Sequence, residues 1–200
     1  MNRIYLSNSI GKNKKGLWLI RLFKVPFLFS IACLFIPINY TWADTKEPTQ
    51  QFLFKHFKNQ IPKPKRLWLN KERQTEITSQ INPSQLKLSY RYWTDDNKTI
   101  WILDEIGKER DITTGILIEN NRVQNVEVLV YRESRGGQVQ NPKFTQQYYQ
   151  KNDQSNLTKE IDSISGATLS VNALNKQVNL ALLLNHYIIK ETPQKVVQTK

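Results

Sequence analysis

The chain has 200 residues, 39% of them hydrophobic and 10% aromatic, which suffices for one cored domain and a short addition. The formal net charge of +12 is unevenly placed: residues 1–43 carry Arg3, Lys12, Lys14, Lys15, Arg21 and Lys24 and no acid. Without those six bases, 23 remain against 17 acids, and no dense basic run survives, which speaks against nucleic-acid binding.

In chain order, the six bases precede the apolar run VPFLFSIACLFIPI, Val25 to Ile38, then NYTWA and Asp44. A basic start, a short apolar run and a small residue before an acid describe a secretory signal cleaved after Ala43. The run has 14 residues, fewer than the ~18–20 that span hydrocarbon. The alternative is an uncleaved anchor through residues 17–40, with Lys24 snorkelling. The expected division is therefore 1–43 as signal or membrane anchor, 44–190 as the working domain and 191–200 as a tail. Either leader exports the bulk of the chain. Cys33, the single cysteine, lies inside the apolar run, so the exported part holds no disulfide or thiolate metal site. His56 and His186 are far apart and lack further ligands at zinc spacing, so no metal is expected.

After Ala43, QQFLFKHFKNQ places Phe52, Leu53 and Phe57 on one helical face. IPKPK breaks that helix, and RLWL is a short strand candidate. NKERQTEITSQ reads as a polar helix with Asn70 as its N-cap. LKLSYRYW, TIWILDEI, TTGILIEN and VQNVEVLVYRES follow as strands joined by short turns, an antiparallel meander. In the last of them, alternation assigns Val126, Val128 and Val130 to one face and Leu129 and Tyr131 to the other. RGGQVQNP is a loop, KFTQQYYQ a short helix and KNDQSNLTKEID a polar connection. From Thr168 onward, Val171, Leu174, Val178, Ala181 and Leu182 repeat at helical spacing over roughly five turns. The expected fold is α+β: an antiparallel meander sheet with helices on one face and a long C-terminal helix.

The start of that helix, DSISGATLS, raises the functional question. Ser and Thr at a helix start commonly cap it, and Gly commonly turns the chain before it. A helix N-terminus also favours phosphate, through free N–H groups and the positive end of its dipole. A hydroxyl there can hydrogen-bond a phosphate or be esterified to one. The residues alone leave both open.

DSISGAT, Asp162 to Thr168, resembles the flavinylation signal Asp-x-x-(Ser/Thr)-Gly-Ala-Thr of FMN-binding domains. Such domains occur in the C subunit of the sodium-translocating NADH:quinone reductase, in the G subunit of the Rnf complex and in small exported proteins. VEVLVYRESRGGQVQNPKFTQQY is similar to the segment that precedes the signal in that family, and the likeness extends over about residues 50–190. The resemblance implies FMN as cofactor, held by a phosphoester to Thr168, with Asp162, Ser165, Gly166 and Ala167 as the recognition signal. It further implies maturation by a periplasmic flavin transferase that uses FAD and magnesium. The chain lacks the larger insertions associated with the respiratory-complex subunits.

ESRGG admits two readings. Glu133 and Arg135 can form a surface ion pair while Gly136 and Gly137 turn the chain. Alternatively, the two glycines let backbone approach a flavin and Arg135 supplies a cation. Trp68, Trp93 and Trp101 fit core packing, with stacking on flavin as the alternative. Asp104 and Glu105 are adjacent in a strand, so they point to opposite faces and cannot share a substrate. No nucleophile–base constellation marks a catalytic residue. The expected function is an exported FMN carrier that relays electrons between membrane redox proteins and periplasmic partners such as cytochromes. A periplasmic flavin-dependent reductase with its own small substrate, and a non-redox ligand-binding module, are the rivals.

Overall fold

A computed structural model describes residues 46–58, 60–95 and 98–191. The leader, the cleavage position after Ala43 and the residues after Glu191 lie outside the described residues. Among the described residues, no helix is long and apolar enough to cross a membrane.

Five strands form one sheet: β1 (Lys65–Trp68), β2 (Ser89–Asp95), β3 (Lys98–Ile106), β4 (Asp111–Glu119) and β5 (Arg122–Tyr131). Their spatial order is their chain order and every pairing is antiparallel, so the meander is as the sequence predicts. Among the described residues, five α-helices accompany them: α1 (Lys46–His56), α2 (Lys71–Gln80), α3 (Pro142–Thr145), α4 (Leu157–Glu160) and α5 (Thr168–Glu191). Asn70 caps α2, its side chain accepting from the Arg73 N–H at 3.0 Å. The single turn α4 arises inside the segment read as a polar connection, because Leu157 inserts into the core.

The main core lies between the sheet and α5. Trp101, Ile112, Ile116 and Ile118 of the strands meet Leu174, Val178, Ala181 and Leu184 of the helix, all but fully buried. Trp101 stacks on Tyr92 with ring centroids 5.0 Å apart. At 24 residues α5 is nearly seven turns rather than five. Its polar residues obscure the apolar stripe, yet they are buried and paired. Gln177 Nε2 donates to the Ile112 carbonyl at 2.6 Å, and Thr99 Oγ1 donates to Asn185 Oδ1 at 2.6 Å.

The opposite face of the sheet is covered too, so helices flank both sides. Phe52, Leu53 and Phe57 of α1 pack with Trp93, Ile100 and Leu117. Phe52 lies directly on Gly115, where an added Cβ would come within 2.8 Å of the ring. The strands permit this because Ile100 and Ile102 are apolar on that face as well.

β5 departs from simple alternation. Thr114 pairs with Val128 and Thr113 with Val130, so Leu129 is an extra residue, and a second irregularity falls at Gln124. A bulge of one residue exchanges the faces of everything beyond it. Val126, Val128 and Tyr131 therefore share the α5 side, whereas Leu129 packs against the α1 cluster. The expected partnership of Leu129 with Tyr131 is corrected by that bulge.

Candidate functional site

The connection from β5 to α5 carries both motifs, and the fold brings them together. Ile164, Ser165, Gly166 and Ala167 form a tight turn closed by the Ala167 N–H donating to the Ile164 carbonyl at 2.9 Å. Gly166 takes φ +78° at the third position, the left-handed conformation such turns reserve for glycine. Ala167 is buried behind the turn, and Thr168 emerges exposed as the first residue of α5. The first bond of the helix runs from the Val171 N–H to the Ala167 carbonyl at 2.9 Å. The N–H groups of Thr168, Leu169 and Ser170 are thus its unbonded first turn. Among the described residues no side chain caps them, and the Thr168 hydroxyl is likewise unengaged.

The Arg-Gly-Gly loop docks against this turn. Gly136 has φ +83° and is buried, and a Cβ there would meet Ser170 Oγ at 2.7 Å, Tyr131 Oη at 2.9 Å and Ala167 Cα at 3.3 Å. The glycine is required by that close approach as well as by its backbone angle. Tyr131 fastens the junction: its hydroxyl donates to the Arg135 carbonyl and lies 2.9 Å from Ser170 Oγ. Since the phenol has one proton, Ser170 donates to it. This junction exists because the bulge turns Tyr131 toward α5.

Between the loop and the helix start lies an open groove of about 550 Å³. Its walls are Thr168, Leu169 and Ser170, the turn Gly166–Ala167, Glu133, Ser134 and Arg135, and Lys108 from the β3–β4 turn. Arg135 is exposed and has no acidic partner among the described residues. Glu133 turns away from it to bind backbone: its Oε1 accepts from the N–H groups of Glu109 at 2.7 Å and Arg110 at 2.9 Å, and from that of Lys108. Burial pulls this carboxyl upward, but the donors of Arg110, Glu109 and Lys108, with the Lys108 charge, hold it below the ordinary glutamate range. The surface ion pair Glu133–Arg135 is therefore not what this motif forms.

The remaining candidates sit elsewhere. Gly137 opens a 3-10 turn and, like Gly136, stands behind the groove wall rather than in it. Asp162 is exposed before the turn, and its N–H donates to Gln147 Oε1 at 2.9 Å. Trp93 and Trp101 are core residues, and Trp68 lies on the far edge strand, 65% exposed, with the Arg66 guanidinium 5.6 Å from its ring. Asp104 pairs with Lys87 at 3.1 Å, whereas Glu105 is buried and holds Ser84 and Lys176, so the two carboxyls serve opposite faces as expected. A smaller concavity of about 360 Å³, lined in part by Glu76, Asp153, Leu182 and His186, contains none of the motif residues.

Residues 107–183 match the family model of the FMN-binding domain. The chain carries an FMN-binding domain. Its cofactor is FMN, and the matched segment runs from the β3–β4 turn through most of α5, which includes every wall of the groove. A search of curated proteins found no match. The groove of this FMN-binding domain fits the cofactor's chemistry: cations at Arg135 and Lys108 and three free N–H groups suit a phosphate, and half-exposed Leu169 offers an apolar surface. Lys108 escaped the sequence reading because a Gly-Lys turn one hairpin upstream carries no local flavin signal, and Tyr131 was read only for its strand face.

Proposed function

We propose that FMN is fixed covalently through its phosphate to Thr168 and that the protein relays electrons outside the cytoplasm. The observation that supports this most is the exposed, unengaged Thr168 hydroxyl at an uncapped helix start inside a cationic groove. In attachment, Thr168 Oγ loses its proton and gains the bond to the flavin-side phosphorus of FAD, and AMP leaves. The free N–H groups of Thr168–Ser170, with Arg135 and Lys108, hold the phosphate. Beyond its two chain neighbours, Gly166 has no atom within 4 Å of where its Cβ would stand among the described residues, which leaves room beside the hydroxyl for a modifying enzyme. Bound FMN supplies one- or two-electron transfer, and the protein supplies orientation and electrostatics.

A membrane redox protein and a periplasmic cytochrome or reductase are the partners this reading calls for, with a periplasmic flavin transferase using FAD and magnesium for maturation. The leader in residues 1–43 supports export to the periplasm or retention at the inner membrane facing it. The groove's openness and the lack of any nucleophile–base pair in its walls favour a carrier over a self-contained reductase. The test is intact-mass measurement of full-length protein co-expressed with a flavin transferase. A gain equal to FMN minus water, absent in Thr168→Ala, is expected; unmodified protein overturns the covalent reading.

A further inference from the structure

The β3–β4 turn is built around a carboxylate from a distant strand end. Glu133 Oε1 collects the N–H groups of Lys108, Glu109 and Arg110, three successive donors curled about one oxygen. Gly107 makes room for it, since a Cβ there would meet Glu133 Oε1 at 2.8 Å and Ile112 Cδ1 at 3.0 Å. The turn is closed by the Gly107 N–H donating to the Arg110 carbonyl at 3.1 Å. The result is that Lys108 stands in the wall of the groove that holds Thr168 and Arg135. Its contact with Glu109, at 3.3 Å between two largely exposed side chains, is too weak to withdraw it.

We infer that Glu133 is a positioning residue which, by organising the 107–110 turn, sets the Lys108 cation in the flavin groove, where that cation raises the flavin's reduction potential. The inference rests on the flavin reading above. Reduction adds negative charge, and a cation at the groove wall stabilises the more negative state. Glu133 carries the opposite charge, so two roles are separable by sign. As a bare charge it lowers the potential, and its removal raises it. As the support for Lys108 it raises the potential, and its removal lowers it.

The experiment uses the full-length, flavin-loaded protein, with loading first established by intact mass. Midpoint potentials are then measured for wild type, Lys108→Gln, Glu133→Ala and the double variant. Lys108→Gln is expected to shift the oxidised-to-reduced ratio about tenfold toward oxidised, about 30 mV for a two-electron couple. Glu133→Ala lowers the potential in the wild-type background and loses that effect when Lys108 is absent, while Lys108→Arg restores the wild-type value. Should Glu133→Ala disturb folding, Glu133→Gln, which keeps one acceptor oxygen, gives a smaller shift of the same sign. Loaded Lys108→Gln protein with an unchanged potential, or a Glu133 variant whose potential rises equally in both backgrounds, overturns the inference. A failure of loading would instead strike the covalent reading itself.

Discussion

The two ends of α5 are built on opposite principles. From Leu174 to Tyr187 the helix is anchored on every side, with Leu174 and Leu184 wholly buried, Gln177 on the strand backbone and Asn185 on Thr99. Beyond them Tyr187 donates to Glu76 at 2.8 Å under the Arg73 guanidinium. At Thr168 the same helix begins exposed to solvent, with no cap and no partner for its hydroxyl among the described residues. A helix secured over its middle needs little from its first turn, so those N–H groups stay available for a ligand. Stability and binding are thus assigned to separate stretches of one element.

Substitutions at the two ends should separate these assignments, and the sharpest is at the binding end. Thr168→Val keeps the side-chain shape and removes the hydroxyl. Covalent flavin should vanish from the mass spectrum while the stability of unloaded protein moves by no more than about 0.5 kcal/mol, as at other exposed sites. At the anchored end, Leu174→Ala should cost about 2–5 kcal/mol in urea unfolding, the range for emptying a buried leucine site. Gly136→Ala probes the junction between the regions. It should cost about 1–3 kcal/mol through its left-handed backbone and the intrusion on Ser170, and slow flavin loading as the groove wall shifts.

Tyr148→Phe leaves Asn175 Oδ1 without the hydroxyl that donates to it at 2.7 Å in the core. Thermal melts should show a loss of about 1–3 kcal/mol with normal loading. The smallest effect concerns acid. Because the Glu133 carboxyl titrates below its unfolded value, its stabilisation is complete above that value and fades as pH falls through the lowered one. Stability-versus-pH curves of Glu133→Gln should therefore be flatter on the acid limb and should converge with wild type at the lowest pH.

The strands, the meander and the starts of α2 and α5 were legible because each rests on local signals: alternation, short turns, an Asn cap, a periodic stripe. The length of α5 was obscured because Asn175, Gln177 and Asn185 look like surface residues until their partners on distant strands are known. Thr168, Ser165, Gly166 and Ala167 were readable as a contiguous motif, and Arg135 as its companion in the groove. Gly136 was singled out for close approach to a flavin, and in the fold it seats the loop on Ala167 and Ser170. Lys108 and Glu133 were beyond reach, since their roles depend on a hydrogen-bonded turn joining positions 23–25 residues apart.

The extra residue at Leu129 has a bearing on how the motifs that follow it are read. It acts as a phase setting between the sheet and the loop that follows it. Regular pairing through Leu129, with no residue bulged out, would keep every motif letter from Arg135 to Thr168, yet the phenol would face α1 and the loop would lose its latch. The register of the last strand is therefore as diagnostic of a working groove as the glycines themselves.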